Sequence, residues 1–162
     1  MNKKRIVITA VAIAAVLCMV ILWKWLNPDE YIVKEDEIAL RIKLDLEEDI
    51  GLLVYDYTAN GHDFGGGVSN ADKSLLKHDE VLTSVWNKQE LNCHDDKVDL
   101  WFRFRIITEY TDPTFVNVYP EEITERCNEI AWTADFGKTY NIKISGSKAT
   151  GYTVTVDPVN NE

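Results

Sequence analysis

Residues 38–46 read IALRIKLDL, the most regular alternation of apolar and charged side chains in the sequence. The even-numbered positions from Ile38 to Leu46 are all apolar, and positions 41, 43 and 45 are all charged. Successive side chains of a β-strand point to opposite faces of its sheet, so this pattern predicts a strand with one buried and one solvated face. The acidic residues at 47–49 and Gly51 end it.

Similar short runs follow along the rest of the sequence, with turn signals about every 8–14 residues. No long stretch after residue 37 has the period of a helix. We therefore predict an all-β domain over residues 38–157, an antiparallel β-sandwich with immunoglobulin-like topology as the default. The predicted strands are residues 38–46, 52–58, 81–86, a short strand near Leu91, and residues 98–108, 115–119, 130–136, 140–144 and 152–156.

Residues 6–23 form an uncharged apolar run of eighteen residues behind a basic tip, residues 1–5. A helix rises about 1.5 Å per residue, so this run covers roughly 27 Å, close to the hydrocarbon thickness of about 30 Å. We predict a transmembrane signal-anchor helix at 6–26 that contacts membrane lipid. The residues predicted at the membrane interface are Trp23, Lys24 and Trp25.

The charges around this run predict its orientation. Three basic residues precede it, and an acidic tether, residues 27–37, follows it. The positive-inside rule places the basic tip in the cytoplasm and the remainder of the chain outside it, in a single-pass arrangement at the cell membrane. Two alternatives are a cleaved signal peptide and a lipoprotein modified at Cys18. Neither has the small residues that its processing site requires.

The charge of the chain is strongly asymmetric. Residues 27–162 carry 13 basic and all 27 acidic residues, a formal net charge of −14. Such a domain is repelled by phosphate backbones and by anionic headgroups, so we expect no nucleic-acid partner. The last residues, 158–162, are predicted to be a polar tail.

The segment 59–80 is rich in glycine and polar residues and is the first candidate for a functional loop. Its oxygen donors could hold a divalent cation, although the spacing does not match an EF-hand. The alternative is a hairpin or edge strand with Gly65–Gly67 as a bulge. We expect no cofactor and no metal; the weak metal-ligand candidates are Asp63, Asp72 and Asp79.

Cys93 and Cys127 are the two cysteines after residue 26. Outside the cytoplasm an even pair predicts a disulfide, which would close a loop of about 34 residues and be worth about 3–4 kcal/mol. The alternative is two separate buried thiols.

Trp101, Arg103 and Arg105 share the outward face of the strand at 98–108. Tryptophan and arginine are enriched at interface hot spots, which makes this group a candidate interaction surface. The alternative, slightly favoured, is that a loop covers the tryptophan and the arginines pair with local acids.

The sequence contains no recognisable catalytic motif. Its serines lack the G-x-S-x-G setting of an activated nucleophile. We therefore expect a non-enzymatic module that binds or positions another envelope or surface component. One alternative is a small anchored hydrolase or metal-dependent enzyme that uses the 59–80 loop. A second is an accessory subunit of a membrane protein complex.

Overall fold

The computed structural model describes residues 31–109 and 119–158, together with Met19. The chain divides into two compact units, residues 1–32 and 33–162, and all strands reported below belong to the second. Among the described residues, no helix has the length and apolar character needed to cross a membrane. The predicted tip, the anchor at 6–26 and its interface residues Trp23, Lys24 and Trp25 lie outside the described residues, apart from Met19.

The described residues form strands joined by turns, and the all-β fold class is confirmed. A single turn of 3₁₀ helix, Glu121–Ile123, precedes β6. The strands are β1 (Glu37–Leu46), β2 (Leu52–Ala59), β3 (His62–Val68), β4 (Val81–Asn87), β5 (Lys97–Ile107), β6 (Thr124–Asp135), β7 (Lys138–Ser147) and β8 (Gly151–Pro158).

Within the described residues these strands form two four-stranded sheets, ordered β4-β1-β7-β8 and β3-β2-β5-β6. The second sheet is antiparallel throughout, as predicted. The first is mixed, because β1 runs parallel to β7. The default immunoglobulin topology is also wrong: such a sheet pairs its first two strands, whereas β1 and β2 lie in different sheets.

The alternation in β1 has the predicted consequence. Ile38, Leu40, Ile42 and Leu44 are fully buried, while the charged residues between them are exposed. Their side chains belong to one hydrophobic cluster that also takes in residues of β2, β5 and β7. The two sheets therefore pack face to face around a common core.

An aromatic group lies at the centre of this core. The Phe102 ring stacks on Tyr57 with a centroid distance of 5.0 Å and on Trp132 with 5.5 Å. Trp86 of the other sheet lies 5.9 Å from Phe102. Burial, with smaller effects of neighbouring Tyr55 and Glu90, raises the pKa of Tyr57 to about 12, so its phenol stays neutral and suits an apolar setting.

One side of the sandwich is closed by a side chain. The β5–β6 register shifts between Arg103 and Arg105, which marks a bulge. Nearby in β6, Asn128 donates from Nδ2 to the Val154 carbonyl oxygen at 3.0 Å and accepts from the Val154 N–H at 2.7 Å. The Asn128 side-chain amide therefore makes the two backbone hydrogen bonds that a neighbouring strand would make to Val154 of β8, and it joins the two sheets.

Several weaker predictions have different outcomes. The strand at 81–86 is confirmed as β4, but the strand near Leu91 is wrong, because residues 88–92 form a turn and the Leu91 side chain is buried in the core. The predicted strand at 115–119 lies outside the described residues except for Tyr119. Glu37, the last residue of the predicted tether, begins β1, and Pro158, the first of the predicted tail, ends β8.

The prediction of one long loop at 59–80 is wrong for residues 62–68, which form β3. Asn60 and Gly61 have φ of 50° and 80° and make the tight turn of a β2–β3 hairpin. The hairpin alternative is confirmed, but the bulge is not, since the β2–β3 register runs without a shift from Leu53–Val68 to Ala59–His62. The loop is therefore confined to residues 69–80.

The neighbouring glycines of β3 are expected to differ in their tolerance of alanine. A Cβ on Gly66 would lie 2.6 Å from the buried Tyr55 ring, whereas one on Gly65 would meet nothing closer than 3.9 Å. We expect Gly66→Ala to lower the free energy of unfolding by about 1–3 kcal/mol through overpacking. Gly65→Ala, the matched control, should leave it unchanged or slightly higher. Urea denaturation of both variants checks this, and equal losses would contradict it.

Candidate functional site

The outer face of the β3-β2-β5-β6 sheet carries a compact ionic group. Asp56 of β2 accepts hydrogen bonds from Arg103 Nη2 at 3.3 Å and from Arg105 Nη2 at 3.2 Å. The Arg103 guanidinium also lies 5.7 Å from the centre of the Trp101 ring, within cation–π range. The pairing of both arginines with a local acid is thus confirmed, and the group as an interaction surface stays a prediction.

Strand register explains this arrangement. Asp56 is paired with Arg103, and Val54, two residues earlier, is paired with Arg105. Paired residues point to the same face, so one carboxylate lies within reach of both guanidinium groups. These side chains are partly exposed, and such pairs contribute only about 0–1 kcal/mol to stability. Their main effect is to hold the arginines in position.

A groove of about 630 Å³ lies beside this ionic group. Gly65 and Gly67 bring no side chains to the outer face, which leaves Val54 as an apolar part of the lining. Asp63, one of the predicted metal ligands, also lines the groove. Among the described residues, the lining consists of Val54, Asp56, Asp63, Phe64, Gly65, Gly66, Gly67, Arg105 and Tyr119.

A second depression, of about 430 Å³, is lined by residues at the start of β5 and around it. Most of its polar side chains already have partners, and Asp96 and Lys97 pair with Lys88 and Asp135 outside the lining. Thr133 Oγ1 donates to Asp99 Oδ1 at 2.7 Å, and Asn60 Oδ1 accepts from the Asp99 N–H at 3.2 Å. The groove beside β3 is therefore the better candidate site.

The three candidate metal ligands are not brought together. Asp63 lies on β3, Asp72 accepts from Ser74 at 2.6 Å within a local turn, and Asp79 lies in the turn before β4. Within residues 31–109 and 119–158, no group of three or more His, Cys, Asp or Glu side chains is placed to hold a metal ion.

The remaining loop, residues 69–80, is held by Asp49 instead. Its carboxylate accepts from Lys77 Nζ at 2.8 Å and from the His78 backbone N–H at 2.9 Å. These bonds hold the pKa of Asp49 well below its usual value of 3.8. Nearby, Leu76 exchanges two backbone hydrogen bonds with Ile50 and buries its side chain.

Asp49 makes the stability of this loop depend on pH. Because the folded-state pKa is depressed, its contribution is present above the unfolded-state value of about 3.8 and is lost as the pH falls through the lower, folded-state pKa. We expect Asp49→Asn to lower the urea midpoint at neutral pH and to match the wild-type chain progressively in acid. Lys77→Met should show the same trend. A difference independent of pH would contradict this assignment.

The predicted disulfide between Cys93 and Cys127 is not formed, and both cysteines are buried free thiols. Cys93 Sγ donates to the carbonyl oxygen of Lys97, the residue paired with Asp135 at one end of β6. Cys127 precedes Asp135 by eight residues, or about 26 Å along a strand, which is too far for an S–S bond. Burial, with a smaller effect of Glu125, raises the pKa of the Cys127 thiol to about 12, so it is unreactive at neutral pH.

The sequence interpretation missed two members of this site. Asp56 is the only acidic residue of β2, and its outward position opposite a strand bearing two arginines was a usable signal. Tyr119 reaches the groove from the segment before β6, and no local pattern indicates this. The sequence predicts the glycines at 65–67 as parts of a loop or as a bulge in a hairpin, and not as lining of a groove.

No protein-family model and no curated protein sequence matches this chain. Some solved structures are distantly similar. A structure of pneumolysin aligns at 10% identity with a TM-score of 0.37 over 80% of this chain. A structure of a Gram-negative toxin aligns at 10% identity with a TM-score of 0.37 over 79% of this chain. The chain spans about a quarter (24%) of the length of each. The membrane-binding domain of pneumolysin aligns at 10% identity and a TM-score of 0.36, covering 77% of this chain and 97% of that domain. TM-scores this low support no conclusion about function.

Proposed function

We propose that this protein is a membrane-anchored binding module that positions another envelope or surface component on the extracytoplasmic side. In this proposal residues 6–26 cross the membrane, residues 1–5 lie in the cytoplasm, and the β-domain lies outside. The apolar run behind a basic tip supports the anchor, and the acidic composition after residue 26 supports the orientation.

The observation that carries the binding role is the groove beside β3. It combines an apolar contact at Val54 with the polar groups Asp56, Asp63 and Arg105, which together can accept and donate hydrogen bonds. Asp56 and Arg105 sit on paired strands of one sheet and are hydrogen-bonded to each other, so these two side chains are positioned before any ligand arrives.

The ionic group around Asp56 fits a binding role. Asp56 accepts hydrogen bonds from both arginines, and these bonds orient its carboxylate. A carboxylate offers about four lone-pair positions, so Asp56 can still accept hydrogen bonds from a ligand. Asp56 is therefore a group that recognises donors.

Crosslinking of the tagged full-length chain in native membranes tests the proposal. We expect at least one reproducible partner or surface component that is retained when residues 1–26 are exchanged for an unrelated membrane anchor. A partner lost on that exchange would instead favour an accessory subunit that assembles through its helix. Turnover of a surface polymer by the purified chain, or no adduct at all, would overturn the proposal.

A further inference from the structure

Gly65 is the residue of β3 whose presence the fold does not explain. Gly66 is required by the Tyr55 ring, and a Cβ on Gly67 would lie only 3.1 Å from the Leu53 carbonyl oxygen. Gly65 has an ordinary strand φ, lies in an unshifted register, and has at least 3.9 Å around a Cβ. A glycine inside a strand weakens it, and the remaining common reason is that a ligand or another backbone approaches closely.

The space above Gly65 has the size and shape for a small ligand. The groove volume of about 630 Å³ is within the range of roughly 300–1,000 Å³ typical of such sites. Among the described residues it is open on the outer face, where the Cα positions of Gly65 and Gly67 and the edge of the largely buried Val54 side chain form an apolar surface. A flat ring with C–H groups on its face fits against such a surface, whereas a bulky side chain at position 65 would fill it.

The polar groups of the groove include both acceptors and donors. Asp56 and Asp63 offer carboxylate oxygens, and Arg105 offers guanidinium N–H groups. The Arg105 Nε–H is buried and has no hydrogen-bond acceptor among the described residues. A hydroxyl group both donates and accepts, so neighbouring hydroxyls on one ring match a carboxylate and a guanidinium at the same time.

The charge of the groove limits the ligand further. Asp56 and Asp63 are balanced locally by Arg105 and by Arg103, which also bonds to Asp56, but the domain as a whole has a net charge of −14. An anionic ligand is repelled by this field. An uncharged ligand with an apolar ring face and several hydroxyls meets each requirement.

We infer that the groove beside β3 is a glycan-binding site for a chain of neutral sugar rings. One ring lies over Gly65 and Val54, and its hydroxyls bond to Asp56, Asp63 and Arg105. The inference rests on the proposed function and names the chemistry of the surface component that the module holds.

The probes are neutral tetrasaccharides of the common hexoses and N-acetylhexosamines, titrated into the full-length chain in nanodiscs. We expect saturable binding of at least one of them, weakened at least about tenfold by Gly65→Val, which fills the groove. Ala131→Val is the matched control, because Ala131 is exposed on the same face opposite Trp101, away from the groove lining. It should bind as the wild-type chain does. Urea denaturation should show both variants to be as stable as the wild-type chain.

Two results would overturn the inference: no saturable binding of any neutral tetrasaccharide, or equal weakening by Gly65→Val and Ala131→Val. Retention of the crosslinked partner by Gly65→Val would leave the proposed binding role intact while the glycan assignment fails. Binding of a hexalysine peptide in place of every sugar, with the same dependence on Gly65, would replace the glycan by a basic peptide.

Discussion

Phe102→Ala is expected to lower the free energy of unfolding by about 3–5 kcal/mol, a large part of the stability of about 5–15 kcal/mol typical of one domain. Phe102 is fully buried and stacks on Tyr57, Phe104 and Trp132. Truncation removes the apolar contacts of one ring and leaves a cavity that rings from two sheets cannot fill without leaving their rotamers. Urea denaturation of the full-length variant in nanodiscs measures the loss.

Phe136→Ala is the matched control for Phe102. Phe136 is half-buried in the turn between β6 and β7, where Lys88 Nζ lies 5.1 Å from its ring centre. The same atoms are removed, but solvent and the flexible lysine can occupy the space, so the loss should be clearly smaller. Equal losses at the two positions would show that Phe102 is not the centre of the core.

Gly146→Ala is expected to lower the free energy of unfolding by roughly 3 kcal/mol or more, because both the backbone conformation at Gly146 and a neighbouring backbone carbonyl exclude a Cβ. Gly146 has φ of 119°, a conformation that residues with a Cβ rarely adopt. An added Cβ would also lie 2.2 Å from the Gly151 carbonyl oxygen of the paired strand, so β7 and β8 would have to separate locally. A fall in the urea midpoint, with loss of amide-exchange protection in β8, is the expected observation.

Gly151→Asn is the control that separates the effect of positive φ from the effect of a close contact in the β7–β8 hairpin. Gly151 also has positive φ, 81°, but a Cβ there meets no heavy atom within 4 Å. Asparagine tolerates the left-handed region better than most residues, so the cost should be about 1 kcal/mol. If Gly151→Asn were as damaging as Gly146→Ala, the contact with the Gly151 carbonyl would not be the cause at position 146.

The strands of strict alternation were predictable because their pattern is local. From Leu40 to Leu46 in β1 and from Lys97 to Ile106 in β5, buried side chains alternate with exposed or half-buried ones, and the period alone assigns the face. The weaker segments were not predictable in this way. Leu91 is as apolar as a strand residue, but it fills the core from a turn, and the burial that decides its role comes from distant residues.

Some residues of the groove could be predicted from the sequence, but their arrangement into one site could not. Arg103 and Arg105 could be placed outward from their spacing, and their alternative pairing with acids was anticipated without naming Asp56. The sequence places the glycines at 65–67 in a loop or a bulge, yet all three lie in the regular strand β3. The role of each glycine depends on what a Cβ there would meet. It would meet an aromatic ring at Gly66 and a carbonyl oxygen at Gly67, and nothing closer than 3.9 Å among the described residues at Gly65.

By itself, the sequence determined the all-β class, the inner and outer faces of the regular strands, and the charge asymmetry between the first 26 residues and the rest. Periodicity and charge are properties of residues that are neighbours in the sequence, so they can be determined without a structure. Only the tertiary structure decided the parallel β1–β7 pairing, the Asn128–Val154 bonds, the separation of the two cysteines and the groove beside β3. Each of these depends on which strands become neighbours, and that choice is made by packing among residues far apart in the chain.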